Sequence, residues 1–334
     1  MTGMARAGNK QRPTVDSDQN DRVLVGVSAC LLGQEVRFDG GHKRDAFLVE
    51  TLGRFVEFVP ICPEFELGLG VPRETLRLER HAERIRLIAP ASRTDHTAAM
   101  RAYARQRVAA LAREHLSGYV LKKNSPSCGM GRVRIYGPNG MPSRDGRGLF
   151  AEALIERFPH LPVEEEGRLN DPRIRENFIE RLFAHRRLQN FFAGRWTHGG
   201  LVAFHTRHKL ELLTHSPRIY AELGRTVAEG RGRERAELRE DYEAAFMSAL
   251  ALIPTPARHV NVLRHIAGYC RDRLDSAGRR ELAALIEDYH RALVPLVVPI
   301  TLIRHYVRLF DIAYLKGQVY LEPHPRELML RNHV

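Results

Sequence analysis

The sequence predicts an α/β fold, a Rossmann-like parallel sheet domain, followed by an all-α helical domain. In the first half, short runs rich in Val, Leu and Ile end at turn residues and are interrupted by a helical pattern. The second half shows helical spacing throughout, and 334 residues exceed the usual size of one domain. We therefore expect a disordered polar tail over 1–20, an α/β domain over 21–165 and a helical domain over 168–334.

The first half should supply the sheet and the ligand-binding edge. Apolar runs predict strands over 23–29, 55–61, 85–89 and 119–121, and a helix lies between the last two over 97–115. In parallel sheets of this kind, ligands gather beyond the carboxyl ends of the strands. We therefore look for the functional residues directly after these runs.

The second half should form a helical bundle. Helical spacing of apolar residues predicts helices over 171–190, 201–214, 217–229, 234–252, 257–274 and 277–294. Cys270 lies in one of these helices, and we expect it to be a packed core thiol.

Three of the four cysteines follow predicted strands: Cys30, Cys62 and Cys128. Thiolates collected at one edge of a sheet suit an iron–sulfur cluster, and three ligands leave one iron open. Zinc is disfavoured because the close Cys-x-x-Cys pairs typical of zinc sites are absent. Three buried structural thiols remain the alternative. The pattern favours a cluster seated in an active site.

The formal charge of +12 favours a polyanionic partner. Residues 168–334 have a net charge of +8 and residues 1–167 have +4, so we expect the attraction to act mainly through the helical domain. The longest apolar run, 292–303, is too short to span a bilayer and contains two prolines. No signal peptide is recognised, and four cysteines do not form a disulfide framework. These features predict a cytoplasmic protein without a membrane partner.

Four blocks of sequence stand out between residues 22 and 165. They are Val-Ser-Ala-Cys-Leu-Leu-Gly at 27–33, Arg-Phe-Asp-Gly-Gly-His-Lys at 37–43, Ile-Cys-Pro-Glu at 61–64 with Pro-Arg at 72–73, and Lys-Lys-Asn-Ser-Pro-Ser-Cys-Gly at 122–129. Together they resemble the thiouracil desulfidase (TudS-type) family. The resemblance implies that Cys30, Cys62 and Cys128 hold a [4Fe–4S] cluster with one iron not bound by protein. It also implies that Glu64 and Ser125 are the catalytic carboxylate and hydroxyl.

The chemistry implied by the resemblance replaces the sulfur of a thiolated pyrimidine with oxygen from water, without net redox change. Such a reaction needs a Lewis acid that polarises the sulfur and a group that activates water. Glu64 lies two residues after Cys62 and is suited to activate water. The alternative is that Glu64 only forms a salt bridge at the surface. Ser125 lies three residues before Cys128, and its alternative is to cap the loop backbone.

The helical half resembles the YbgA-type domain that follows the desulfidase domain in longer family members, through stretches at 195–209, 215–217 and 320–325. This resemblance implies 4-thiouridine in tRNA as the substrate. Two alternatives stay open: a desulfidase of free thiouracil or thionucleotides only, and a non-catalytic RNA-binding protein with a structural or sensing cluster. Histidines 198, 205, 208 and 215 lack matching carboxylates, so a basic helix facing RNA is favoured over a metal site there. Trp196 or Phe204 would then stack on bases or belong to the core.

Overall fold

The computed structural model describes residues 22–333, so the tail expected over 1–20 lies outside the described residues. The predicted fold class is confirmed, since strands and short helices fill the first half and helices fill the second. Within residues 22–333, no helix is both long enough and apolar enough to cross a membrane.

The strands form two separate four-stranded sheets. In chain order they are β1 (Leu24–Ser28), β2 (Glu57–Ile61), β3 (Arg77–His81), β4 (Arg84–Ile88), β5 (Gly118–Leu121), β6 (Val133–Tyr136), β7 (Pro142–Gly146) and β8 (Val163–Glu165). The first sheet is parallel, with the order β2-β1-β5-β8. The next strand in the chain, β2, pairs on one side of β1, and the later strand β5 pairs on its other side. Such a reversal of strand order opens a crevice at the carboxyl end of β1.

A glycine allows close packing on this central strand. A Cβ added to Gly26 would lie 2.2 Å from the ring of Tyr119, which is fully buried on the neighbouring strand β5. A larger residue at this position would push the two strands apart, because the ring is enclosed on all sides.

The predicted strand over 85–89 does not join the parallel sheet, and this part of the prediction is wrong. It corresponds to β4, which pairs antiparallel with β3 in a second, mixed sheet of order β4-β3-β6-β7. Only Ala82 and Glu83 separate β3 from β4, and Ala82 has a φ of 50°. A connection of two residues permits a hairpin but cannot make the crossover that a parallel pair requires.

The helices follow in chain order. They are α1 (Pro63–Glu66), α2 (Thr97–Leu111), α3 (Leu149–Arg157), α4 (Pro172–Ala193), α5 (His198–His215), α6 (Pro217–Ala228), α7 (Arg235–Leu250), α8 (Pro256–Cys270), α9 (Ser276–His290), α10 (Val297–Leu309) and α11 (Ala313–Lys316). Polar side chains before α4, α6 and α8 accept hydrogen bonds from the first turn, and each of these helices starts with proline. These local signals explain why the predicted helices agree with the observed ones to within a few residues.

Helix α10 was not predicted, because the run that contains it holds Pro295 and Pro299. Pro299 is the third residue of α10. The first four N–H groups of a helix have no partner within the helix, so a proline there removes no hydrogen bond.

Helix α4 packs on the parallel sheet although it starts the helical half. Phe178, Ile179 and Leu182 share one buried cluster with Val25 and Val120, and Leu328 near the end of the chain joins it. The helical half is therefore anchored to the sheet that carries the cysteines through a common core.

A buried ionic contact fixes the chain end to α4. Nη2 of Arg331 lies 3.1 Å from Oε1 of Glu180, and its Nε lies 3.4 Å from Oε1 of Glu176. All three side chains are almost inaccessible to solvent. The nearby His215 and Arg331 hold the pKa of Glu180 below its usual value, although burial acts in the opposite direction.

We expect Arg331→Met to lower the free energy of unfolding by about 3–5 kcal/mol, because it removes the buried cation shared by Glu176 and Glu180 and leaves Glu180 with His215 alone. Urea unfolding followed by circular dichroism measures this change. Arg326→Met is the matched control, since Arg326 is exposed in the same segment. Equal midpoints for the two variants would show that the buried ionic contact does not stabilise the fold.

Candidate metal centre

The three predicted cysteines come together at the carboxyl edge of the parallel sheet. Cys30 lies in the 3-10 turn after β1, Cys62 directly follows β2, and Cys128 lies in the loop after β5. Because β1 lies between β2 and β5, the three turns are neighbours, and all three cysteines line one cavity of about 370 Å³. Cys270 is buried in a separate core of the helical half. The role of Cys30, Cys62 and Cys128 as cluster ligands stays a prediction.

The cavity disfavours thiolates unless a cation is bound. Burial, followed by the neighbouring Cys62, raises the pKa of Cys30 to about 11, although Lys122 and Arg37 act in the opposite direction. Burial, followed by Cys62, also raises the pKa of Cys128 well above its usual value. Metal binding deprotonates coordinating thiols.

The donor set fits an iron–sulfur cluster. Three cysteine thiols, the type of donor that iron–sulfur clusters prefer, line a space with room for a group of several atoms. Within residues 22–333, no three His, Cys, Asp or Glu side chains are arranged to hold a single metal ion.

Glu64 lies in the same cavity, and its carboxylate is held at both oxygens. Arg73 donates to Oε2 from Nη2 at 2.7 Å and from Nε at 3.1 Å. The hydroxyl of Ser127 donates to Oε1 at 2.9 Å. The side chains of Glu64 and Arg73 are only 14% and 6% exposed, so the ion pair is internal and not a surface salt bridge. The contacts orient Glu64 within the cavity.

Ser125 shapes the loop of the third cysteine. Its Oγ accepts hydrogen bonds from the N–H groups of Ser127 at 3.2 Å and of Cys128 at 3.0 Å. The preceding Asn124 has a φ of 59°, a left-handed conformation that asparagine tolerates well. Ser125 therefore caps the backbone, as its alternative interpretation expected, and it also lines the cavity.

The acidic run at the end of β8 fixes both ends of this loop, a role that was not predicted from the sequence. Glu166 accepts a hydrogen bond from the N–H of Lys123 at 2.8 Å and pairs with the ammonium group of Lys122. Glu165 accepts from the N–H of Met130 at 2.8 Å. Three consecutive glutamates were a visible signal in the sequence, but β8 was not predicted and the partner loop could not be identified without the strand order.

The histidines of the helical half do not form a common site. His198 and His208 bond to the carbonyl oxygens of Val227 and Phe204, at 2.7 Å and 2.8 Å. His205 lies 3.3 Å from the Tyr242 hydroxyl, and His215 pairs with Glu180.

The aromatic residues near these histidines belong to the core. Phe204 is 6% exposed and lies in the core of the helical half. It is therefore not available to stack on RNA bases, which was one of the two expectations for this residue. Trp196 is partly buried against the same core. The core alternative is therefore correct for Phe204.

Comparison with known proteins identifies the class. Residues 25–166 match the family 2-thiouracil desulfurase, and residues 209–325 match the family Protein of unknown function (DUF1722). The chain is 36% identical over 165 residues to the uncharacterized protein YbgA of Escherichia coli (strain K12), covering 49% of this chain and 98% of YbgA. It is 32% identical over 156 residues to the uncharacterized protein YbbK of Bacillus subtilis (strain 168), covering 44% of this chain and 99% of YbbK.

The chain thus belongs to the 2-thiouracil desulfurase family and carries a DUF1722 region of the YbgA kind, as its sequence blocks indicated. Among solved structures, the [4Fe-4S]-dependent thiouracil desulfidase TudS is similar, with 32% sequence identity and a TM-score of 0.37. That similarity covers 45% of this chain and 95% of TudS.

Proposed function

We propose that this protein is a desulfidase that uses a [4Fe–4S] cluster, with one iron not bound by protein, to remove sulfur from thiolated pyrimidines. The favoured substrate is 4-thiouridine in tRNA, and the products are uridine and sulfide. The cytoplasm is the proposed place of action. The observation that supports this most directly is the shared cavity of Cys30, Cys62 and Cys128 with an oriented carboxylate, Glu64, on its wall.

The chain's own residues have distinct tasks in this proposal. Cys30, Cys62 and Cys128 hold the cluster, and the turns after three adjacent strands position them. When bound, the cluster supplies a Lewis-acidic iron that polarises the thiocarbonyl sulfur. Glu64 accepts a proton from the attacking water, and Arg73 and Ser127 keep its carboxylate in place.

The proposed reaction balances without an oxidant or a reductant. One C–O bond forms from water, the C–S bond breaks, and the two protons of water leave with the sulfur as hydrogen sulfide. Ring carbon and sulfur keep their oxidation states, so the residues need only move protons.

The substrate can be tested with anaerobically reconstituted protein. The assay measures loss of thiobase absorbance and release of sulfide from tRNA containing 4-thiouridine, from 4-thio-UMP and from free thiouracil. Sulfide from tRNA supports the proposal, whereas sulfide from the small compounds alone supports the first alternative. A protein with an intact cluster that releases no sulfide from any of the three would be a binding or sensing protein.

Two variants of Ser125 separate its loop-capping contact from a catalytic role. Ser125→Asn keeps a side-chain oxygen that can cap the loop, and Ser125→Ala removes both the cap and the hydroxyl. If the hydroxyl takes part in catalysis, both variants should lose about tenfold or more in turnover per bound cluster. Iron content measured beside turnover corrects for weaker cluster binding. Normal turnover in Ser125→Asn would restrict Ser125 to capping.

A further inference from the structure

The positive charge is more concentrated over residues 77–147 than over the helical half. This segment, which holds the second sheet, α2 and β5, contains 15 Lys and Arg but 5 Asp and Glu, a net charge of +10. This exceeds the +8 of residues 168–334, although the segment is less than half as long. A net charge summed over the whole first half therefore hides a strongly basic segment within it.

Part of this charge surrounds an open groove between the second sheet and the helices α2 and α3. The groove has a volume of about 1190 Å³, and Ile85, Ile135 and Leu149 contribute apolar surface to it. Six arginines line it: Arg80, Arg84, Arg86, Arg101, Arg132 and Arg147.

Three of these arginines are available to a ligand. Arg84, Arg101 and Arg132 are exposed, and none of them has a side-chain hydrogen bond or ion pair to another described residue. By contrast, Arg80 pairs with Asp145 at 3.1 Å and Arg86 pairs with Asp95 at 3.4 Å. Glu83 and Glu152 also line the groove, so its arginines still outnumber its carboxylates by six to four.

The groove lies next to the loop of the third cysteine, because residues that follow this loop in the sequence line the groove. Arg132 lies four residues after Cys128. Arg147 donates from Nε to the carbonyl oxygen of Met130 at 3.0 Å, so the wall of the groove holds the end of that loop.

We propose that this arginine-lined groove of the α/β half binds the phosphate backbone of an RNA substrate. Guanidinium groups bind phosphate oxygens in a bidentate manner and remain charged at all physiological pH values. Several unpaired guanidinium groups around one groove can contact several phosphates of one strand. The choice of RNA as the polyanion rests on the proposed function, whereas the position of the binding surface rests on the charges and contacts described above.

The test measures binding of a fluorescein-labelled, unmodified tRNA transcript to the full chain by fluorescence anisotropy. The KCl concentration is varied from about 50 to about 300 mM, because the affinity of phosphate contacts falls steeply over this range. The triple variant Arg84→Gln/Arg101→Gln/Arg132→Gln should bind about 30-fold or more weakly at 0.1 M salt, because three phosphate contacts are lost. Its plot of log affinity against log salt should also be shallower by about 2–3.

The matched control is Arg225→Gln/Arg231→Gln/Arg280→Gln, three exposed arginines of the helical half without side-chain partners among residues 22–333. It should change the affinity less than about threefold. Loss of binding in the control but not in the groove variant would move RNA binding to the helical half. Equal affinity of the wild type for polyglutamate and for tRNA would also overturn the proposal.

Because the transcript carries no sulfur, this result is independent of the desulfidase reaction. If the groove variant loses RNA while the wild type releases no sulfide from any thiopyrimidine, the docking surface stands and the proposed chemistry fails. If sulfide is released but the groove variant binds RNA normally, only the groove proposal fails.

Discussion

Cys30→Ala should purify with little or no bound iron and release sulfide more than about 100-fold more slowly than the wild type. The reason is that a cluster held by three protein thiolates loses a third of its ligands, and the loss of even a supporting contact at a metal site costs about 10–100-fold. Iron and sulfide analysis after anaerobic reconstitution, together with a desulfuration assay, measures both effects. The same outcome is expected for Cys62→Ala and Cys128→Ala.

Cys270→Ala is the matched control for the three cysteine variants. Cys270 is fully buried in the core formed by α8 and its neighbours, so its replacement should cost about 1 kcal/mol of stability and leave the iron content unchanged. If Cys270→Ala lost its iron while Cys30→Ala retained it, the proposed metal centre would be in the wrong half of the chain.

Glu64→Gln should lower turnover by about 10²–10⁴-fold while iron content stays at the wild-type level. Glutamine has nearly the same shape and can still accept the hydrogen bond from Ser127, but it cannot take a proton from water. The variant also leaves the buried Arg73 without its anion, so its unfolding midpoint should fall. Single-turnover desulfuration of reconstituted protein separates the catalytic loss from this loss of stability.

The matched control is Glu66→Gln, in the same short helix. Glu66 does not line the cavity of the cysteines, and it accepts hydrogen bonds from the Tyr103 hydroxyl at 2.6 Å and from the N–H of Cys62 at 3.2 Å, which a glutamine oxygen can also accept. Its replacement should change turnover only a few-fold. Equal losses in both variants would indicate a general disturbance of α1, and Glu64 would then have no special role in proton transfer.

Much of the fold follows from signals that are local in the chain. The helix starts at α4, α6 and α8 were predictable because a polar cap and a proline stand side by side in the sequence. The strand β4 was also recognised, but its sheet was assigned wrongly, because three of the five residues of its partner β3 are Arg or Glu and give little apolar signal. Element type depends on neighbours in the chain, whereas sheet membership depends on pairing between distant segments.

The candidate site shows the same division. Glu64 and Ser125 were identified from blocks of sequence that surround the cysteines. The partners of Glu64 were not, because Arg73 and Ser127 lie 9 and 63 positions away, and the acidic clamp on the third cysteine loop spans 35 to 44 positions. Contacts over such separations exist only after the strands have paired.

The three cysteines and the turns that carry them can thus be read from the chain alone, because each thiol directly follows an apolar run or lies in a short loop beyond one. Their meeting in one cavity depends on the order β2-β1-β5, which no single segment encodes. The same holds for the groove, where arginines from strands, a helix and a loop come together. Local residue patterns specify secondary structure and turns, and the free energy of packing whole elements against each other selects which side chains become neighbours.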